Sequence, residues 1–299
     1  MPRSLFPTIG KILLLLAAFT AAARAQSRID CSEMNSRLMK QPMRYCVLLP
    51  ASYDHPDAKT RRYPILYFLH GLGDNEQTLF KSGGWTLIDD LREQLKIGEF
   101  LIVAPEGKRS FYINSANGKT PYSDFFLQEF MPLIEKKYRV QPGRASRAIT
   151  GISMGGYGAL RFAFAHPELF SAVSAQSAAL ITETPQQLNA AADAGAPLSS
   201  MLGAAFGQPI NPAAWKENDV FDLARKNAAA LHKMSIYFNC GDEDDFDFEK
   251  GAEKLHKQLA AEDIKHEYHL YPGDHSPQYF MEHISEVMKF HSRIFQAKP

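Results

Sequence analysis

The run Gly151-Ile152-Ser153-Met154-Gly155, followed closely by Gly156 and Gly158, is the strongest chemical signal in this chain of 299 residues. It stands between a β-rich stretch, Arg147 to Thr150, and a helical one that ends at His166-Pro167. G-x-S-x-G in that setting predicts a sharp strand-to-helix turn that lifts a serine hydroxyl out of a sheet. The neighbours must be small because side chains would clash there, and the helix N-terminus beneath favours developing negative charge. Serine is a weak nucleophile until a base takes its proton, so Ser153 calls for a histidine held in one tautomer by a carboxylate.

Ten histidines are available, and His275 is best placed. It follows a strand candidate, His266 to Tyr271, in the loop Pro272-Gly273-Asp274-His275-Ser276-Pro277, where a strand's C-terminal end delivers catalytic groups. His55, His232, His256, His283 and His291 read as surface or capping residues, and His70 as structural. The acid belongs after the strand Ser235 to Cys240, in Gly241-Asp242-Glu243-Asp244-Asp245-Phe246-Asp247. Five acids crowd this loop, most of them solvated or capping the next helix. Asp244 is the choice, with Asp245 its competitor. Acyl transfer also needs N–H donors for an oxyanion. The amide of Met154 is one, and the loop His70-Gly71-Leu72-Gly73-Asp74 supplies the amide of Leu72, with glycines that let substrate approach the backbone.

These groups need a scaffold. Short β-rich runs at Tyr45–Pro50, Tyr63–His70, Phe100–Pro105, Arg147–Gly151, Phe170–Ser174, Ser235–Cys240 and His266–Tyr271 predict strands, several of them apolar throughout as strands buried on both faces are. Helices are expected at Leu87–Lys96, Ser123–Tyr138, Met154–His166, Phe248–Ala261 and Pro277–Phe295. Alternating strands and helices define an α/β domain with a mostly parallel sheet covered on both sides. Residues 26 to 299 fit one such domain. Residues 177 to 232 break the rhythm with Ala, Pro, Gly and Gln. They are read as an insertion over the sheet's edge that serves as a lid, with helical pieces near Leu198–Phe206 and Asp219–Ala230.

Residues 1 to 25 carry a basic start, an apolar run from Ile12 and the ending Ala23-Arg24-Ala25, which predict a cleaved secretory signal and a secreted or periplasmic protein. The run from Ile12 to Ala23 is well short of the roughly 20 residues of a spanning helix. The whole sequence has 33 basic and 33 acidic residues. Arg3, Lys11 and Arg24 are the only charged residues of the first 25, so the remainder has a net charge of −3. That charge gives no electrostatic reason to propose nucleic acid or an anionic membrane as partner. In an oxidising compartment Cys31 and Cys46, around the turn-like Met39-Lys40-Gln41-Pro42, are a candidate hairpin disulfide. Cys240 reads as a buried free thiol. No cysteine and histidine spacing points to zinc, and no cofactor is required.

Together, Tyr63–Gly73, Ile102-Val-Ala-Pro105, Gly151–Gly158, Gly241-Asp-Glu-Asp244 and Pro272-Gly-Asp-His275 resemble the esterase family of α/β-hydrolases. That family includes S-formylglutathione hydrolases (esterase D), feruloyl esterases, siderophore esterases and mycolyltransferases. The resemblance covers nearly all of residues 26 to 299. It implies an α/β-hydrolase fold, Ser153 as nucleophile, His275 as base, Asp244 as acid three residues after the strand-ending glycine, and Leu72 and Met154 as oxyanion positions. Ser110-Phe-Tyr-Ile-Asn-Ser115 resembles a stretch of mycolyltransferases and of some secreted esterases. Phe111, Tyr112, Phe206 and Trp215 are candidates for lining a substrate pocket.

The expectation is a secreted serine hydrolase of carboxylic esters, such as feruloyl, acetyl or other small acyl esters of sugars, with a mycolyltransferase-type acyltransferase or a catalytically silent binding protein as alternatives. An imidazole base, with an ordinary pKa near 6.5, predicts that ester hydrolysis falls below about pH 6. Initial rates from pH 5 to 8 test this, and a flat profile excludes a histidine base.

Overall fold

The computed structural model describes residues 27–194 and 197–296. The expected export signal lies outside them. Eight strands form one sheet: β1 (Arg28–Ser36), β2 (Gln41–Leu49), β3 (Ile65–Leu69), β4 (Leu101–Pro105), β5 (Arg147–Ile152), β6 (Ala172–Gln176), β7 (Ser235–Gly241) and β8 (Glu267–Tyr271). Their spatial order is β1-β2-β4-β3-β5-β6-β7-β8. The β1–β2 and β2–β4 pairs are antiparallel and all others parallel. Every residue of β3 and β4 is buried, as continuous apolar runs require when helices cover both faces.

One core, holding Tyr67, Ile149, Phe162 and Phe238, packs beneath the helix Met154–Ala165. The other, holding Phe68, Ile88, Tyr237 and Val287, packs beneath the helices Gly84–Glu93 and Pro277–Gln296.

The structure departs from sequence reasoning at several places. β1 has no counterpart among the expected strands because it is an edge strand with an alternating, half-exposed face. It pairs with β2 so that Cys31 stands opposite Cys46, and the two sulfurs are bonded. The helix expected over Ser123–Tyr138 contains a wide π turn, Phe126–Phe130, in which the Met131 amide donates to the Phe126 carbonyl. Pro132 follows at once. Proline lacks an N–H and crowds the preceding turn, and a widened turn relieves both problems.

The 177–232 segment leaves β6, an interior strand, whereas the edge strands are β1 and β8. It folds into helices Pro185–Asp193, Pro197–Phe206, Pro212–Glu217, Val220–Lys226 and Ala228–Leu231. These pack on the helix Met154–Ala165 and on the loop after β4, through Phe206 against Phe111 and Tyr157. Asn218, between two of these helices, accepts from the buried Arg161 of that helix and from Tyr157 through its side-chain and main-chain oxygens respectively. Among the described residues no helix is long and apolar enough to cross a membrane.

His291, expected at the surface, is fully buried. The Ser174 hydroxyl donates to Thr150 Oγ1, so its oxygen accepts from His291 Nε2–H at 2.7 Å. That leaves His291 Nδ1 buried without a partner. Burial pushes this imidazole down to about 3. Below the ordinary histidine value the unfolded chain takes up a proton that the folded chain refuses, so the site costs stability as pH falls from about 6.5 towards 3. His291→Phe should flatten the pH dependence of unfolding free energy over this range by up to about 1.4 kcal/mol per pH unit. Urea unfolding of both proteins at pH 7 and pH 5 measures the difference, and parallel losses would exclude His291 as its source.

Candidate active site

Ser153 is the N-cap of the helix Met154–Ala165 and takes φ +55°, ψ −118°. A non-glycine residue at positive φ is held there only by surrounding structure. That structure is backbone packed on backbone. A Cβ on Gly155 would stand 2.0 Å from the Leu69 carbonyl oxygen, and one on Gly151 would stand 2.2 Å from that of Gly155. Only glycine lets the first helical turn sit against the end of β3 while the hydroxyl points away. The turn is closed by hydrogen bonds from the Ser153 amide to the Gln176 carbonyl (2.9 Å) and from the Ala179 amide to the Ser153 carbonyl (3.1 Å).

Three loops at the C-terminal ends of β5, β7 and β8 meet at this hydroxyl. His275 Nε2 stands 2.9 Å from Ser153 Oγ, and His275 Nδ1 stands 2.7 Å from Asp244 Oδ2. The Asp244 side chain is fully buried and that of His275 nearly so. With Nδ1–H donating to the carboxylate, the Nε2 lone pair faces the serine. Burial alone would raise the Asp244 carboxyl. The hydrogen bonds from His275 and the Phe246 amide, with the imidazole's charge, outweigh it and hold the group below the usual carboxylate value.

The neighbouring Asp245 takes a different place: its Oδ2 accepts from the His275 backbone amide at 3.2 Å. The two loops are tied further by Glu243 N–H to Gly273 O and Gly273 N–H to Asp242 Oδ1, both 3.0 Å.

A cavity of about 150 Å³ opens on Ser153 and His275. Leu72, Met154 and Phe111 line it together with Leu198 and Met201 of the inserted segment. Met154 is the first residue of its helix, where an amide has no intrahelical acceptor. Phe246, Phe248 and Phe280 set their rings 5.0, 5.4 and 5.2 Å from the His275 ring, all near perpendicular. Sequence reasoning missed these three, as well as Leu198 and Met201. Phe246 and Phe248 stand two and four residues after Asp244, so their spacing from the acid was a usable signal. Phe280 and Met201 come from helices with no such marker.

The remaining pocket candidates divide. Phe206 and Trp215 line a second, smaller cavity of about 20 Å³ with Phe111 and Tyr157, beside the first. Tyr112 lines neither. It is fully buried, packs on Gly158 and donates from its hydroxyl to the His70 carbonyl at 2.9 Å. That is a correction, because a ring filling space beneath the β4 loop is not open to a ligand. His70 is buried too. It accepts from the Gly107 amide on Nε2 (2.7 Å), so its Nδ1–H donates to the Gly71 carbonyl (2.8 Å) and holds the Leu72 loop. Among the described residues no group of three or more metal-ligating side chains occurs.

A mostly parallel eight-stranded sheet with a serine, a histidine and a buried carboxylate at its C-terminal edge is an α/β-hydrolase fold carrying a serine hydrolase arrangement. The chain belongs to the family described as Putative esterase, whose model matches residues 36–291. It is 28% identical over 246 residues to Esterase Rv1288 of Mycobacterium tuberculosis, covering 77% of this chain and 51% of that protein. It is 24% identical over 266 residues to an acetyl esterase of Caldicellulosiruptor saccharolyticus, covering 87% and 96% of the two chains. The chain thus spans about half the length of the mycobacterial relative. Its fold superimposes on a ferulic acid esterase with a TM-score of 0.76 at 27% identity, covering 90% of this chain and 99% of that one.

The backbone packing at the turn yields a prediction. Gly155→Ala should destabilise the fold by about 3 kcal/mol or more, because the clashing atoms are main chain and no rotamer relieves them. Thermal unfolding measures it, and a wild-type melting temperature would contradict the assigned contact.

Proposed function

We propose that the chain is an exported serine hydrolase that cleaves carboxylic esters through an acyl-enzyme. The observation that carries this reading is the unbroken chain Ser153 Oγ, His275 Nε2, His275 Nδ1, Asp244 Oδ2, opening on an apolar cavity. Ser153 Oγ attacks the ester carbonyl carbon as His275 Nε2 takes its proton, and the amides of Leu72 and Met154 hold the resulting oxyanion. Collapse of the intermediate breaks the bond to the alcohol, which leaves with the proton from His275. Water then gives a proton to His275 and attacks the acyl carbon, and the acid departs as Ser153 recovers its proton. Asp244 stays ionised throughout and stabilises the imidazolium.

The cavity supports a small acyl group. Its volume of about 150 Å³ is that of an apolar void able to take one benzene ring. Among its lining residues Ser153 and His275 alone have polar side chains. The relatives named acetyl esterase and ferulic acid esterase support the same size range. Residues 1 to 25 and the Cys31–Cys46 disulfide support an oxidising compartment outside the cytosol. The inserted segment acts as a lid in this reading, because it brings Leu198 and Met201 to the mouth of the cavity.

Hydrolysis of p-nitrophenyl and methyl esters, from acetate through long chains to ferulate, by residues 26–299 tests the proposal. Acetyl, butyryl or single-ring esters should be cleaved faster than long-chain ones. Ser153→Ala should lower kcat by on the order of a millionfold, as loss of the nucleophile does in a serine protease. A loss below roughly tenfold would refute Ser153 as nucleophile. Inactivity of the wild type on every ester, restored by an acceptor alcohol, would favour acyl transfer instead.

A further inference from the structure

Asp244 makes a third contact that the mechanism above does not use. Besides His275 Nδ1–H on Oδ2 and the Phe246 amide on Oδ1 at 3.0 Å, its Oδ2 lies 3.6 Å from the sulfur of Cys240. Cys240 is the residue before the glycine that ends β7, four residues ahead of the acid, and is fully buried and free. Its thiol faces a carboxylate that has no access to water.

Two chemical facts define what such a pair does. A thiol beside a buried carboxylate keeps its proton, since a thiolate there would face a like charge in a dry site; burial and the Asp244 charge both push this thiol up. A protonated thiol is a donor, so the contact is an S–H to carboxylate hydrogen bond. The geometry is set by rigid elements. Cys240 sits near the C-terminal end of β7, which is paired on both sides, with β6 and with the edge strand β8, and the buried Ser177 just after β6 adjoins its sulfur. The acid loop turns back over this strand, and the Asp247 amide bonds to the Asp244 carbonyl at 3.0 Å to close it.

We propose that Cys240 is a positioning residue of the active site: its thiol donates to Asp244 Oδ2 and fixes the carboxylate in the rotamer that receives His275. The inference rests on the assignment of Ser153, His275 and Asp244 as the reacting set. The same oxygen serves the thiol and the imidazole, so the thiol both locates that oxygen and withdraws part of its charge. Without the donor, the carboxylate has one contact fewer to hold it, and the charge that remains draws a proton to His275 more strongly.

The other charged and titratable groups near this pair are Asp245 on the same loop, Glu249 on the helix Phe248–Ala261, Tyr268 on β8 and Tyr279 on the helix Pro277–Gln296. None of the four is altered in the test.

The test compares wild type, Cys240→Ala, Cys240→Ser and Asp244→Asn on the best ester from the panel above, with kcat and KM measured from pH 5 to 9. The expected result is that Cys240→Ala lowers kcat by roughly threefold to tenfold, the range of one hydrogen bond, with KM unchanged. Its acidic limb of kcat/KM should move to higher pH, and Cys240→Ser, which keeps a donor, should restore both. Wild-type kcat and limb in Cys240→Ala, whatever its melting temperature, would overturn the proposal. So would equal losses in Ala and Ser, which would mean the sulfur only fills space. Should Cys240→Ala fail to fold, Cys240→Val removes the donor while filling the volume and takes its place. Asp244→Asn separates the two levels. If it keeps full activity, the underlying assignment of the acid fails; if it is impaired while Cys240→Ala is not, the positioning role alone fails.

Discussion

The Gly155 turn packs against the Leu69 carbonyl at the end of β3 so closely that no side-chain atom fits between them. The rest of the site depends on it. It brings the helix after β5 down onto the sheet, puts Ser153 at a positive φ, and leaves Met154 lining the same cavity as Leu72 of the loop after β3. A looser approach would remove the strain that aims the hydroxyl. Strain of this kind costs of order 1–3 kcal/mol, which the surrounding strands and helix supply through the two buried cores.

Around that turn the electrostatic problem is to keep an ion pair's worth of polarity in a dry place. An ionised carboxylate without water is costly unless both of its oxygens accept hydrogen bonds. Asp244 meets this with donors from three sources: a side chain of another loop, a backbone amide of its own loop and the thiol of its own strand. The aromatic rings of Phe246, Phe248 and Phe280 then close the other sides of His275. Their edges and faces exclude water without competing for the imidazole nitrogens, so both nitrogens stay committed to Asp244 and Ser153. The base is thereby oriented at one end by a charge and at its flanks by shape.

The inserted segment adds a separate layer. It is anchored on the helix after β5 by the buried Arg161 and Tyr157 bonding to Asn218, and by Phe206 wedged between Phe111 and Trp215. From that anchored base Leu198 and Met201 reach the cavity. The Ser153 turn and this wall of the cavity share the helix Met154–Ala165 as a packing partner, and the Ala179 amide at the start of the segment bonds to the Ser153 carbonyl, so the two are mechanically linked.

Much of this was legible in the residues themselves. The apolar runs that became β3, β4, β5 and β7, and the 3.6-residue periodicity of the flanking helices, carry local information, because burial on both faces leaves only apolar residues acceptable. Ser153 was marked by glycines that steric exclusion demands, and His275 by its place just after a strand. The choice between Asp244 and Asp245 was not local. Adjacent residues in one loop differ only in where the fold turns them, one side chain to the imidazole and the other to the backbone amide of the same histidine.

The same holds for the depth of His291, the burial of Tyr112 and the path of residues 177–232. Each depends on which surfaces meet across tens of residues of chain, and periodicity reports only the face a residue presents, never the partner it finds. So the sequence by itself determined the fold class and singled out Ser153 at its strand-to-helix turn, through local steric and burial rules. The tertiary structure alone decided which carboxylate faces the imidazole and what closes the cavity, since those are outcomes of long-range packing.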